Sequence, residues 1–191
     1  MSASAKLSGL MTVDEFLVWE PDDRMRYELM DGEPVAMAPT SNVHGVLQSR
    51  LGRLIGNHLE ASRPGCEVLT NPGVIPKLRP KINFRIPDLG VTCATIVPTA
   101  SSLPDPVLLV EILSPSNQSD TMMNVWAYTS IPSVREILIL RSDRRGAEVL
   151  RRLADGGWPS EPEPVGATLD LESIGFSVPM ADLYARTGLT G

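Results

Sequence analysis

Residues 84–116 read FRIPDLGVTCATIVPTASSLPDPVLLVEILSPS and contain two apolar runs that each carry one carboxylate, Asp88 and Glu111. The run at 107–113, VLLVEIL, is rich in branched aliphatic residues and has no turn residue, which is typical of a strand covered on both faces. An ionised glutamate inside such a strand is costly unless it is paired or binds a metal. Asp88 lies in or at the end of a second buried strand. Two acids that converge from neighbouring strands at one end of a sheet suit a hard divalent cation.

Length and composition predict one domain over residues 1–191, with residues 1–10 as a flexible leader of small residues. The net charge of −6 argues against a broad electrostatic attraction to nucleic acid, although it permits a local basic patch. No apolar run approaches the roughly 18–20 residues of a membrane span, and no signal peptide is evident, so we expect a cytoplasmic protein. Cys66 and Cys93 have no metal-binding spacing, which favours two structural thiols over a zinc site or a disulfide framework.

Two local signals organise the first forty residues. A capping box at residues 12–15 predicts a short helix that ends near Trp19. Asp31-Gly32 between two short strands predicts a β-hairpin. The acids that flank this turn, Glu28 and Glu33, are expected at the surface.

The longest helix is predicted from the spacing of apolar residues over 43–61. His44 lies in its first turn, and Gln48 follows one turn later on the same face. After the glutamate-bearing strand, a helix over 121–130 and a strand over 134–140 complete a strand–helix–strand crossover unit. The last strand is therefore expected in the same sheet.

Three further stretches are defined by composition. Residues 77–85, KLRPKINFR, hold four basic residues and no acid, and both a solvated turn and a phosphate-facing patch fit this pattern. Residues 141–153 predict a turn and an edge strand with exposed arginines. Residues 159–164 are too rich in proline for regular structure to be expected.

The chain resembles the PD-(D/E)XK nuclease superfamily and, more narrowly, the Uma-type family of restriction-endonuclease-like proteins. Pro87-Asp88 matches the PD element, and Glu111 matches the second acid. The resemblance implies an α/β fold of the restriction-endonuclease-like kind, with a mixed sheet flanked by helices and an N-terminal helix and β-hairpin extension. The segments that carry it are MTVDEFL (11–17), RYELMDGEPVAM (26–37), PTSNVH (39–44), RIPDLGV (85–91), LLVEILSPSN (108–117) and YTSIPSVREILIL (128–140).

The resemblance implies metal-assisted hydrolysis of DNA phosphodiester bonds. Asp88 and Glu111, with the main-chain carbonyl of Ile112, are the expected ligands of Mg²⁺ or Mn²⁺. His44 and Gln48 match the region in which the family presents a further polar side chain to the site. A homodimer is expected because cleavage of a duplex favours two-fold symmetry.

The family's lysine, which places a compact cation beside the scissile phosphate, is not where it is expected. The position two residues after the second acid is Leu113. On the following helix, the position between an Asp four residues earlier and a Tyr four residues later is Asn124, which can orient water but carries no charge. Lys77, Lys81 and Arg85 are the remaining candidates for the missing cation.

Two functions from different classes follow. The first is a metal-dependent endodeoxyribonuclease, in which Asp88, Glu111, Asn124, His44 and Gln48 form the catalytic site. The second is a catalytically degenerate nuclease fold that acts as a binding or assembly module, which Asn124 favours. A small-molecule hydrolase with His44 as base is the weakest alternative, because no nucleophile motif such as GxSxG is present.

Overall fold

The computed structural model describes residues 9–114, 118–163 and 167–189. The leader predicted at residues 1–10 therefore lies outside the described residues, except for its last two. None of the helices in the described ranges is both long and apolar enough to cross a membrane. The elements, in chain order, are α1 (Val13–Val18), β1 (Tyr27–Met30), β2 (Glu33–Ala36), α2 (Asn42–Ser62), β3 (Glu67–Thr70), β4 (Leu89–Thr92), β5 (Pro106–Leu113), α3 (Gln118–Thr129), β6 (Glu136–Arg141), β7 (Ala147–Arg151), β8 (Ser160–Glu163), β9 (Thr168–Leu171), β10 (Phe176–Pro179) and α4 (Met180–Leu183).

The central feature is a six-stranded mixed sheet with the order β3-β4-β5-β6-β7-β8. Strands β5 and β6 are parallel and are joined by α3, as the strand–helix–strand pattern predicted, whereas the other neighbours in the sheet are antiparallel. The mixed α/β architecture expected from the sequence is thus confirmed. Glu111 lies near the carboxyl end of β5, which is a central strand of the sheet.

Helix α2 covers one face of the sheet. Its N-cap is Ser41, whose hydroxyl accepts a hydrogen bond from the main-chain N–H of His44. The apolar stripe at spacings of three and four becomes a row of fully buried side chains, Leu47, Leu51 and Ile55. Each such side chain contributes about 1.5–3 kcal/mol through burial. The same stripe carries His44 towards the interior one turn before the core begins.

Strand β5 is buried on both faces, and its alternation decides where Glu111 points. Val110 and Ile112 belong to the core beneath α2, whereas Leu109 and Leu113 belong to the core beneath α3. Because successive strand residues face opposite sides, Glu111 shares the α3 face with the latter pair. The glutamate that the sequence singled out is therefore directed towards α3.

The predicted N-terminal extension is present as α1 and the β1–β2 hairpin. Asp31 and Gly32 both have positive φ, at 49° and 86°, as a two-residue hairpin turn of type I′ requires. The hairpin docks on the chain before β4 through reciprocal main-chain hydrogen bonds between Leu29 and Phe84, at 2.8 and 3.0 Å. This docking brings the face of β1 that carries Glu28 against the central sheet.

Three expectations are wrong in detail. The proline-rich stretch forms β8, which pairs with β7, so β7 is not the edge strand. Cys66 and Cys93 are joined in a disulfide rather than being two thiols, since they flank the paired ends of β3 and β4. Glu28 is buried rather than at the surface. All three depend on pairings between distant segments, which local sequence patterns do not reveal.

Candidate active site

A cavity of about 100 Å³ opens between the hairpin, α2, β5 and α3. Its wall includes five polar side chains from five separate segments: Glu28, His44, Asp88, Glu111 and Asn124. All five residues are buried, with relative exposures between 4% and 8%.

Asp88 immediately precedes β4 and is held through its main chain and its carboxylate. Its carbonyl oxygen accepts hydrogen bonds from the Asn71 main-chain N–H at 3.0 Å and from Gln48 Nε2 at 2.9 Å. Its Oδ2 accepts the main-chain N–H of Ile112 at 2.7 Å, and its Oδ1 lies 2.8 Å from His44 Nε2. The carboxylate is therefore fixed across the β4–β5 boundary.

Glu111 is fixed by α3. The hydroxyl of Tyr128 donates to Glu111 Oε1 at 2.6 Å, and both side chains are buried. Burial raises the pKa of the Glu111 carboxyl well above its ordinary value, and the carboxylates of Asp88 and Glu28 raise it further. The Tyr128 hydroxyl acts in the opposite direction because it stabilises the ionised form.

Glu28 is a third acid of this cavity, although its position beside the hairpin turn predicts a surface residue. Its Oε1 accepts the main-chain N–H of Ile86 at 2.6 Å, and its two carboxylate oxygens lie 3.2 and 3.0 Å from Asn124 Nδ2. Burial raises the pKa of the Glu28 carboxyl. These hydrogen bonds and the charge of Arg85 act in the opposite direction and lower it. The signal that could have found it was its position inside RYELMDGEPVAM, a segment that carried the family resemblance.

An uncharged residue, Asn124, occupies the position expected for the family's lysine. Asn124 uses its amide N–H groups to hold Glu28, and its Oδ1 is buried without a hydrogen-bond partner among the described residues. Lys77 and Lys81, the two lysines considered as substitutes, lie exposed on the loop before β4 and do not line the cavity. Asn124 therefore brings no cation to the site.

Arg85 is a buried basic residue that interacts electrostatically with Glu28, although it does not line the cavity. Its guanidinium is buried, and Nη2 donates to Asn83 Oδ1 at 2.9 Å. Nε and Nη1 have no hydrogen-bond partner within the described ranges. Burial lowers the pKa of Arg85, whereas Coulombic attraction to Glu28 and Tyr128 raises it. Arg85 therefore supplies positive charge to Glu28 from outside the cavity wall.

The donor set fits a hard divalent cation. No group of three or more His, Cys, Asp or Glu side chains in the described part of the chain forms a metal site as it stands. Mg²⁺, however, commonly binds through one or two carboxylates and keeps several waters, a need that Asp88 and Glu111 meet. The buried Oδ1 of Asn124 is a further oxygen without a partner. A bound cation would relieve the raised pKa of the Glu28 and Glu111 carboxyls.

The structure thus brings four of the predicted site residues, Asp88, Glu111, His44 and Asn124, into one cavity. Gln48 lies next to this cavity, and its side-chain amide donates to the main-chain carbonyl of Asp88 rather than to the Asp88 carboxylate. Tyr128, which in the sequence only marks the position expected for the lysine, orients Glu111.

The sheet order and this site define a protein of the restriction-endonuclease-like class. The chain belongs to the Uma2 family, described as "Putative restriction endonuclease", whose model matches residues 13–181. The family resemblance found in the sequence is thereby confirmed.

Individual proteins that are similar to the chain include the following two. One is an uncharacterized protein of Synechocystis sp., 29% identical over 176 residues, with 91% of each chain covered. The other is a crystal structure from Anabaena variabilis, described as "a putative nuclease belonging to DUF820", with a TM-score of 0.76. That match covers 93% of this chain and 99% of the other at 18% identity, so it bears on the fold alone.

Proposed function

We propose that this protein is a metal-dependent nuclease that hydrolyses DNA phosphodiester bonds at the acid-lined cavity. The observation that carries the proposal is the convergence of Glu28, Asp88 and Glu111 in one cavity. Within the described residues none of them forms an ion pair with a lysine or arginine. Glu136, a buried acid elsewhere, instead pairs with Arg151 at 3.0 Å, as a structural acid does.

Asp88 and Glu111 are the proposed ligands of Mg²⁺ or Mn²⁺, together with the main-chain carbonyl of Ile112. The N–H of Ile112 points at Asp88, and the N–H and C=O of one strand residue point to the same side, so this carbonyl is directed towards Asp88 as well. When bound, the cation activates a water and neutralises charge on the phosphate oxygens. Both carboxylates are oriented beforehand, by His44 and Tyr128 respectively.

Asn124 has two tasks in this proposal. Its amide N–H groups hold Glu28 at the cavity wall. Its Oδ1 is left as an acceptor that can orient a water molecule. Neither task supplies the positive charge of the family's lysine, and Arg85 is a basic side chain with a Coulombic interaction with Glu28.

The second candidate is a degenerate nuclease fold that binds a partner without turnover. Its support is Asn124, since no lysine among the described residues lines the cavity. Such a module retains the oriented acids but lacks a cation that touches the reacting phosphate. The first candidate therefore cleaves DNA and the second does not, whereas both are compatible with DNA binding.

The test is Mn²⁺-dependent cleavage of supercoiled plasmid by the wild type, by Glu111→Gln and by Glu60→Gln. Glu111→Gln keeps the shape of the side chain and its acceptor for Tyr128 but removes the charge. Glu60 is exposed on α2, so Glu60→Gln is the matched control for purification and for the loss of one surface charge. The nuclease proposal expects cleavage by the wild type and by Glu60→Gln, and none by Glu111→Gln.

Equal cleavage by all three preparations would show a contaminating nuclease and remove the support for this site. No cleavage by any of them, across pH and across Mg²⁺ and Mn²⁺, would favour the binding module.

A further inference from the structure

A second, outer cavity of about 320 Å³ adjoins the acid-lined cavity. Its wall includes Arg24, Met25 and Arg26, which precede β1. The acids therefore form the floor of a continuous cleft, and two arginines stand at its rim. The two cavities share Met37, Ala38, Thr40, His44 and Asp88 as lining residues.

The two arginines are available for a ligand. Both are exposed, and no ion pair among the described residues includes either of them. The acid nearest in sequence, Asp23, is engaged elsewhere. Its Oδ1 accepts the main-chain N–H of Met25 at 2.8 Å, and its Oδ2 accepts the Tyr27 hydroxyl at 2.7 Å.

The segment that carries the arginines is also held in place. The ring of Tyr27 packs edge-on against Trp19, with centroids 4.9 Å apart. The carbonyl of Arg26 accepts the main-chain N–H of Met37 at 2.8 Å, which extends the hairpin pairing beyond β1 and β2. The guanidinium groups therefore extend from an anchored backbone, which lowers the entropy lost when they bind a ligand.

The charge and the size of the cleft indicate which ligand it binds. Three carboxylates on the floor repel a phosphodiester, so a strand that reaches them needs positive charge at the mouth. Arginine binds phosphate oxygens with its planar, bidentate donors. The inner cavity is smaller than the roughly 300–1,000 Å³ of small-molecule sites, whereas the outer cavity lies within that range. A phosphate fits the first, and the neighbouring sugar and phosphate fit the second.

We infer that Arg24 and Arg26 form a phosphate-binding rim that holds a nucleic-acid strand by the phosphates that flank the scissile one. This inference rests on the proposed nuclease function and assigns the rim to binding and positioning of the strand. Removing the rim therefore weakens binding and raises KM, while the acids and kcat are unaffected.

The test is binding in EDTA, where no cleavage occurs. Fluorescein-labelled oligonucleotides, one single-stranded and one duplex of the same sequence, are titrated by anisotropy at several salt concentrations. The proteins are the wild type, Arg24→Gln/Arg26→Gln and the charge-retaining Arg24→Lys/Arg26→Lys. Because both arginines are exposed and unpaired, we expect all three to have the same melting temperature.

The matched control for charge is Arg53→Gln/Arg135→Gln. Arg53 is exposed nine residues after His44 on α2, so it lies half a turn away from the site face. Arg135 is exposed just before β6, at the end of the sheet opposite Glu111, because β6 is parallel to β5. The control removes the same charge from surfaces that do not border the cleft.

Each phosphate contact contributes about 0.9 to the salt slope of log K on duplex DNA and about 0.7 on a single strand. Arg24→Gln/Arg26→Gln is therefore expected to reduce the slope by about 1.8 on the duplex or by about 1.4 on the single strand, whereas the lysine variant and the control keep the wild-type slope. The oligonucleotide that shows its reduction is the form that the rim binds. An unchanged slope in Arg24→Gln/Arg26→Gln, or an equal loss in the control, would overturn the inference. Neither result depends on whether the protein cleaves DNA.

Discussion

Replacing Tyr128 with phenylalanine tests whether Glu111 is held in the folded protein as an ionised, oriented group. The substitution removes one oxygen atom, whose hydrogen bond to Glu111 Oε1 is 2.6 Å long and buried. The ring, which packs among the residues of the core beneath α3, remains. Tyr184→Phe is the matched control, because that hydroxyl is also buried but shares its single proton between the main-chain carbonyls of Arg141 and Gly146, at 2.8 and 2.7 Å.

The expected magnitude follows from the kind of hydrogen bond that is lost. A bond to a charged group contributes about 1.5–3 kcal/mol, whereas a neutral bond contributes about 0.5–1.5 kcal/mol. For a chain of this length, 1 kcal/mol changes the melting temperature by about 2–4 °C. Tyr128→Phe should therefore lower it by about 3–12 °C, and Tyr184→Phe by about 1–6 °C.

The assay is thermal unfolding of both variants and the wild type, in EDTA and again with saturating Mn²⁺. If Glu111 is a metal ligand, the stabilisation by Mn²⁺ should be smaller in Tyr128→Phe than in the wild type and unchanged in Tyr184→Phe. A loss of less than about 3 °C for Tyr128→Phe in EDTA would refute the charged hydrogen bond. An unchanged response of Tyr128→Phe to Mn²⁺ would refute the orienting role of Tyr128.

Three further outcomes are expected. Burial and neighbouring acids raise the folded-state pKa of Glu111 above its ordinary 4.5, so its contribution to stability is complete below about pH 4.5 and is lost as pH rises through the folded value. In EDTA, the melting temperature of Glu111→Gln relative to wild type should therefore increase with pH, and a constant difference would contradict this. Arg85→Met should slow plasmid cleavage by about tenfold, equivalent to about 1.4 kcal/mol, whereas neutralising the exposed Lys77 and Lys81 together should not; the reverse order would remove Arg85 as the compensating cation. Thiol titration of the denatured, unreduced protein should find no free thiol. Reduction should then cost about 3–4 kcal/mol, given the 27-residue separation of the cysteines, and two free thiols would disprove the disulfide. Since disulfides are rare in reducing cytosol, the titration also bears on the cytoplasmic location expected from the sequence.

Much of the fold was accessible from local patterns, because period and burial are linked within one element. The spacing of three and four over 43–61 predicts a helix with one buried stripe, and α2 extends only one residue further at each end. The run at 107–113, apolar except for Glu111, predicts a strand covered on both faces, which β5 is. The helix between two such strands then predicts a parallel crossover.

The same reasoning reached two of the three acids. Asp88 and Glu111 stand out because a carboxylate inside a buried strand is costly and therefore needs a partner. Glu28 gives no such signal, since an acid next to an exposed hairpin turn is unremarkable by itself. Its burial arises only when Leu29 pairs with Phe84 and the hairpin docks beside α3, where Asn124 binds its carboxylate.

The sequence by itself thus determined the helix and strand pattern, the family and the pair of strand acids, because each of these depends on the side chains within one segment. Tertiary structure alone decided that Glu28 completes the acid cluster, that Arg85 is buried outside the cavity wall, and that Arg24 and Arg26 stand at its rim. These placements depend on which distant segments pack together. That packing decides whether a charged side chain is buried or exposed, and the spacing of the residues next to it in the sequence does not reveal which.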